Sequence, residues 1–175
     1  HTGVDLNRAG IPLLEIVSEP DMHGTEEVMG YARAMQALVR WVGASRANME
    51  MGQMRFEPNI NLHIRRGERI SKTPIVEVKN LKGVRALEST VDYEIERQYA
   101  EWLEDPDGYS LDNLGKQNRG YDVDAGVTVF QRAKEEAHDY RYFPDPDLVP
   151  VLVSGDWREQ VRAGIGELPA ERARR

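Results

Sequence analysis

From Met54 to Ile64 the chain alternates in a way that leaves little choice of local structure. Successive side chains of a strand point to opposite faces, so Met54, Phe56, Ile60, Leu62 and Ile64 fall on one side and Arg55, Glu57, Asn59, Asn61 and His63 on the other. One face is fit for a core. The other carries a cation, a carboxylate and two short carboxamides in a fixed order, a row that suits a polyanion and its metal. A strand with a merely solvated outer face shows the same alternation. Pro58 interrupts the run; without an N–H to give to a ladder, it predicts a sheet edge or a bulge.

The stretch Arg65 to Arg69, with Gly67 inside it, reads as a charged hairpin turn, and Pro74 to Lys79 as the returning strand. Glu77 and Lys79 then share a face. If that face is the one bearing Arg55, Glu57, Asn59 and Asn61, all of them cluster on one side of the sheet.

Around this pair the other elements are predicted from periodicity. Ile11 to Val17 is apolar on both faces except at Glu15, as expected of a short strand buried on two sides. A buried carboxylate needs a partner, so Glu15 sits near the strand's end, pairs with Arg8 or points into a site. Thr25 with Glu26 and Glu27 opens a helix whose apolar positions are Val28, Ala32, Met35, Leu38, Val39 and Val42, with Gly43 at its end. Met29 and Met35 read as core filling. A second helix runs from about Val84 to Leu103, with Leu87, Val91, Ile95, Tyr99 and Leu103 as its buried stripe, and the turn from Asp105 to Gly108 ends it.

Residues 109 to 126 are polar and glycine-spotted, which favours a loop or irregular strands; Val127 to Phe130 reads as a short strand. Prolines at 144 and 146 stiffen an aromatic, charged arm from Tyr140 to Pro146. Beyond Ser154 a capped helix begins with Trp157 and Val161 on one side, and Pro169 is expected to end or kink it. We divide the chain into residues 1–153, one domain, and 154–175, the opening of a helical unit.

Composition narrows the chemistry. With no cysteine there is no disulfide or thiolate metal site, so a metal would bind oxygen or His. A net charge of −7 argues against non-specific gripping of nucleic acid while leaving room for a local basic groove. No apolar run is long enough to span a bilayer and no export signal is visible, so a cytoplasmic location without membrane contact is expected. The chain opens at His1 in what reads as mid-domain sequence, and we expect it to be part of something longer. There is no phosphate-binding glycine loop and no nucleophile elbow, and the four histidines lack metal-like spacing. What remains is carboxylates beside Arg, Lys and Asn on strands. That set suits a magnesium–nucleotide site, where oxygen ligands hold the metal and cations neutralise phosphates.

Four motifs carry a resemblance: VDLNRAGIPLLEIVSEPDM at 4–22, MEMGQMRFEPNIN at 49–61, VEVKNL at 76–81 and EAHDYRYFPDPDL at 136–148. In order and spacing they resemble the GatB chains of the aspartyl/glutamyl-tRNA amidotransferases, with archaeal GatE as the nearest relative. The resemblance implies an α+β fold, an antiparallel sheet with packed helices like the glutamine synthetase-like cradle domain of GatB, lacking that domain's first part. It further implies an ATP- and Mg2+-dependent enzyme that phosphorylates the side-chain carboxylate of Glu or Asp on a misacylated tRNA. Ammonia from the glutaminase subunit GatA then displaces the phosphate, with the small subunit GatC completing the assembly. On these motif positions we assign Arg55, Glu57, Glu77 and Lys79 to catalysis, Asn59, Asn61, Asn80 and Arg141 to ATP or substrate, and Glu15, Glu50 and Glu57 to the metal. The sequence departs from the family at Lys82-Gly83-Val84, where Asn-Ser-Phe is common, at Glu57, where Asp is frequent, and at Tyr121, where Trp is frequent. The competing expectation is a non-catalytic scaffold that docks partner subunit and tRNA. Convergence of Arg55, Glu57, Glu77 and Lys79 on one face would favour the enzyme.

Overall fold

The computed structural model describes Gly3 and residues 10–134 and 146–175. Its elements run α1 (Thr25–Trp41), β1 (Asn59–Ile60), β2 (His63–Arg66), β3 (Arg69–Lys72), β4 (Ile75–Lys79), α2 (Val84–Glu104), α3 (Leu111–Leu114), β5 (Lys116–Asp122), β6 (Val127–Lys134), α4 (Gly155–Gly164) and α5 (Pro169–Ala173). Helices and sheets are thus mixed in the α+β manner. One sheet has the order β1-β4-β5-β6, and β2-β3 is a separate hairpin.

The main sheet is not wholly antiparallel, contrary to expectation. β4 and β5 run parallel, with Glu77 opposite Asn118 and Lys79 opposite Gly120, whereas β1–β4 and β5–β6 are antiparallel. A parallel pair requires a long crossover, and α2 with α3 supplies it. Sequence periodicity reports faces and not directions, so this pairing left no local mark.

Of the strand expected from Met54 only Asn59–Ile60 and, in the separate hairpin, His63–Arg66 form, but the alternation of burial is present: Met54, Phe56, Ile60, Leu62 and Ile64 are half-buried, while Arg55, Glu57, Asn59 and His63 are exposed. Asn61 is also half-buried. Pro58 precedes the edge strand β1, and its carbonyl accepts from the Val78 N–H at 3.0 Å, a bond that needs no N–H from proline. The hairpin differs from expectation. The partner of His63–Arg66 is Arg69–Lys72, and Ile75–Lys79 pairs with β1 and β5 instead. Gly67 takes φ +60° as the first central residue of the two-residue loop, a conformation that makes a type II′ turn and that a Cβ resists.

One face of the sheet meets α1 and α2 in a core of Met29, Ala32, Val76, Val78, Leu81, Leu87, Val91 and Tyr121. Val76 and Val78 are fully buried, and each such side chain stabilises the fold by about 1.5–3 kcal/mol. Along α2 the buried residues are Leu87, Thr90, Val91, Glu94, Gln98 and Trp102, while Tyr99 and Leu103 of the expected stripe are exposed. Strict four-residue steps advance about 40° per step around a helix of 3.6 residues per turn, so the stripe from Leu87 drifts off the core by Tyr99. The buried line mixes three- and four-residue steps and includes three polar residues, Thr90 and the widely bonded pair Glu94 and Gln98.

That pair belongs to a network under the sheet. Glu94, with no exposed surface, takes two bonds from Arg97 (3.0 and 2.8 Å), one from Gln98 (3.0 Å) and one from Thr128, and its Oε1 lies 3.4 Å from Arg119 Nε. Arg119 in turn donates to the Thr128 hydroxyl and carbonyl. Gln98 donates to the Ile60 carbonyl and accepts from Thr73, whose own hydroxyl receives the Leu62 N–H, so α2 is tied to the strand edge at both faces of one amide. Burial alone would raise the Glu94 carboxyl, but the bonds from Arg97 and Thr128, and the charge of Arg97, hold it below its ordinary 4.5. Burial, then repulsion from Arg97, lowers Arg119 below its usual value.

Three further expectations change. Residues 11–19 form no strand, and Leu13, Leu14 and Val17 are well exposed, because no described strand runs beside them; Leu14 and Ile16 instead border an apolar groove of about 540 Å3 lined by α1 and by residues between Arg162 and Glu171. Of the loop or irregular strands expected over 109–126, residues 116–122 form a strand with an irregular register at Asn118–Arg119, and its inward Arg119 is met by Glu94 and Thr128. Pro169 starts α5 instead of ending α4, while Ser154 caps α4 as expected by accepting from the Trp157 N–H at 3.1 Å. Gly24, not Thr25, is the N-cap of α1. The arm from Tyr140 falls, up to residue 145, outside the described residues.

Candidate active site

The sheet face turned away from α2 carries the polar row. The β1–β4 register sets Asn59 opposite Glu77, and continuing it sets Glu57 opposite Lys79; facing residues of neighbouring strands project to the same side. Lys79 Nζ lies 3.3 Å from Glu77 Oε1 and 3.8 Å from Glu57 Oε2, an ammonium held between a carboxylate of its own strand and one two residues ahead of β1. With some two-fifths of the Lys79 and Glu57 side chains exposed, such pairs contribute little to stability, about 0–1 kcal/mol, so the arrangement is not explained by folding. Glu77 itself is buried.

β5 extends this face. Asn118, only 3% exposed, is the register partner of Glu77, and its side-chain oxygen is buried without a hydrogen-bond partner among the described residues. An unmet buried acceptor costs about 1–3 kcal/mol, so a ligand donor there would recover energy that the fold has given up. Gly120, opposite Lys79, is overlaid by Gln131, whose Nε2 would stand 2.5 Å from any Cβ at that position; Gln131 is the extra residue at the β5–β6 irregularity. Arg132, exposed, lies opposite Asn118 on β6.

Of the residues singled out from sequence, then, Glu57, Asn59, Glu77 and Lys79 come together. Arg55 is exposed ahead of β1 and in phase with Glu57 and Asn59; Asn61 lies in the step between β1 and β2. Asn80, at φ +69°, directs its amide to the Tyr121 carbonyl at 3.3 Å, a bond that pins the end of β4 to β5. Arg141 lies outside the described residues. Glu15 and Glu50 are exposed, and among the described residues no three His, Asp or Glu side chains are grouped to hold a metal, so Glu15, Glu50 and Glu57 are not gathered into one. Asn118 was missed. Nothing in a polar strand marks one amide as orphaned until the opposing residue is known.

The donor set fits magnesium of a particular kind. Two carboxylates and an amide oxygen are hard ligands, too few for a closed cage but sufficient for an ion that keeps most of its water and rides on substrate phosphates. Lys79 beside them is a cation suited to a phosphate.

Comparison with known proteins identifies the family. The family described as the GatB/GatE catalytic domain matches residues 1–159. Among curated relatives, the B chain of the aspartyl/glutamyl-tRNA(Asn/Gln) amidotransferase of Nitrosospira multiformis is 46% identical over 170 residues, 97% of this chain and 33% of that protein. The protein of the same name from Ralstonia nicotianae is 47% identical over 174 residues, 99% of this chain and 34% of its own, and that from Rhodopirellula baltica 44% over 170, 97% and 34%. The chain therefore spans about a third of the length of these relatives. The match over residues 1–159, with relatives 44–47% identical over 97–99% of the chain, makes this chain a member of the GatB/GatE catalytic domain family.

Proposed function

We propose that the chain supplies part of the active site of an ATP-dependent aminoacyl-tRNA amidotransferase. The observation that carries this is the convergence of Glu57, Glu77 and Lys79 on one sheet face, with Asn118, whose side-chain oxygen has no hydrogen-bond partner among the described residues, as the register partner of Glu77, which favours chemistry over a docking scaffold. The substrate is Glu or Asp esterified to a non-cognate tRNA. Its side-chain carboxylate displaces ADP from the terminal phosphate of ATP, and ammonia then displaces phosphate from the acyl carbon. Bringing carboxylate to phosphate opposes two anions, and Lys79, already fixed by its neighbours, neutralises charge without reorganising. Glu57 and Glu77 would hold the nucleotide's magnesium, which relieves the same repulsion. Arg55 lies on the open side for phosphate, and Asn59 and Asn118 orient the substrate. Arg141 and Asn61 belong to the same ATP- and substrate-binding set.

Residues 1–153 belong on this proposal to a cradle-like catalytic domain and 154–175 to the start of a helical one. GatA and GatC are the partners, and the cytoplasm the location; no helix among the described residues is long and apolar enough to cross a membrane. The test is Lys79→Ala in the full-length protein assembled with its partner subunits. Transamidation at saturating ATP should slow roughly a hundredfold, the usual size for losing one electrostatic group, while glutamine hydrolysis falls much less. Equal losses would mean that Lys79 acts through assembly, and no loss would remove it from catalysis.

A further inference from the structure

The hairpin β2–β3 is a strongly basic piece of an acidic molecule. Residues 63–72 hold Arg65, Arg66, Arg69 and Lys72 against the single carboxylate of Glu68, a net +3 within a chain of −7, with His63 beside them. The register divides these cations between two faces. Arg66 and Arg69 face each other on one side, and both are turned to the end of α2: the Arg66 guanidinium lies 5.7 Å from the Trp102 ring centre and Arg69 bonds Asp107 at 3.2 Å. The opposite face carries His63 across from Lys72 and Arg65 across from Ile70, all exposed. No described carboxylate lies within ion-pair distance of Arg65 or Lys72. Cations packed at cross-strand and two-residue spacings repel one another, and a hairpin this small has little stability to spare. A cost with no internal compensation points to an anion outside.

We propose that the outer face of the β2–β3 hairpin, through Arg65 and Lys72, grips the sugar–phosphate backbone of an RNA. A linear polyanion can bridge Arg65 and Lys72, set diagonally across the two strands on one face of the hairpin, the Arg fork and the Lys point charge being the two ordinary phosphate binders. A membrane surface fits less well, because Ile70 alone offers apolar area for insertion. The choice of RNA among polyanions rests on the proposed tRNA substrate. Position supports it: His63 is four residues beyond Asn59, at most about 14 Å along an extended chain, so RNA held here lies close to the Glu57–Glu77–Lys79 face. The hairpin holds the nucleic acid while the sheet face meets its acylated end.

The test measures binding of the 175-residue chain to a fluorescent, unacylated RNA stem-loop by anisotropy across a salt series. Arg65→Ala/Lys72→Ala should weaken binding at low salt about tenfold and flatten the slope of log affinity against log salt by about 2 units, close to one for each phosphate no longer neutralised. Arg33→Ala, an exposed cation on α1, should change neither. Because both hairpin side chains are exposed and their charges repel, the thermal midpoint should hold or rise slightly, and a drop of more than a few degrees in the double variant is checked by Arg65→Glu alone, which must still weaken binding. No measurable RNA binding by the wild type at low salt overturns the proposal. So does an unchanged slope in the double variant, or hairpin-dependent binding to vesicles of anionic lipid in place of RNA. The readout is independent of catalysis: hairpin-dependent RNA binding with Lys79→Ala fully active would keep this inference and sink the proposed chemistry, and the reverse pattern would do the opposite.

Discussion

Replacing Glu94 with glutamine should be among the most damaging single changes this fold can suffer, and the damage should depend on pH. The carboxylate is wholly buried and receives two bonds from Arg97, one from Gln98 and one from Thr128. Gln keeps the volume and removes the charge, leaving Arg97, with only a tenth of its side chain exposed, and Arg119 without their counter-ion. Breaking a buried pair from one side costs about 3–5 kcal/mol. Arg97 retains Glu101 at 3.3 Å and the Tyr109 hydroxyl at 3.0 Å, which places the loss near the lower end, about 3 kcal/mol. For a chain of this size that corresponds to about 6–12 °C in thermal midpoint. Because folding lowers the Glu94 pKa, its contribution is complete above the ordinary value of 4.5 and is lost as pH falls through the folded value. Urea unfolding of both proteins should therefore show a gap that is constant from pH 7 to about 5 and narrows below 4.5. A gap under about 1 kcal/mol at pH 7, or one unchanged at about pH 3.5, would refute the account of Glu94 as a charge stabilised by its partners.

Asn118→Leu separates function from folding at the candidate site. Removing an orphaned buried acceptor should leave the thermal midpoint within a few degrees or raise it, while transamidation by the assembled enzyme falls at least about tenfold. A large loss of stability with no loss of rate would mean that Asn118 is structural. Gly67→Ala forces a Cβ into φ +60° at a cost of about 1–2 kcal/mol. Since β2–β3 is a sheet of its own, hydrogen exchange should quicken about tenfold in its amides and stay unchanged in α2.

What the sequence disclosed here is mostly faces. The period-two pattern from Met54 to Ile64 placed Glu57 and Asn59 together, and the same logic put Glu77 with Lys79, because side-chain direction follows from the backbone alone. Which strands would meet was another matter. Lys116 to Asp122 has too few apolar residues to announce a strand, since its inward Arg119 is buried against a carboxylate from α2. Glu94 and Gln98 themselves look like solvated positions on a helix. Only the bonds they make distinguish them, and those that reach beyond the helix involve residues tens of positions away, Thr128 for Glu94 and Ile60 and Thr73 for Gln98. Ile11 to Val17 shows the converse: its apolar side chains describe a strand with neighbours on both sides, and the described residues include no strand beside it.

The buried ion pair also selects among ways of assembling the sheet. β5 must find β4 across a crossover of thirty-odd residues, with a polar sequence that offers few apolar contacts to fix the pairing. Sliding β5 by one residue would turn Arg119 to the open face and present Asn118 to the helix, since each step along a strand exchanges sides. Glu94 would then lose a cation and Arg119 its threonine, while Val76 and Val78 would be covered much as before. The hydrophobic core would lose Tyr121, which shares a face with Arg119, and the carboxylate would lose its cation. A residue that adds modest net stability thereby excludes the misaligned sheet, and with it any arrangement in which Glu77 and Asn118 fail to meet.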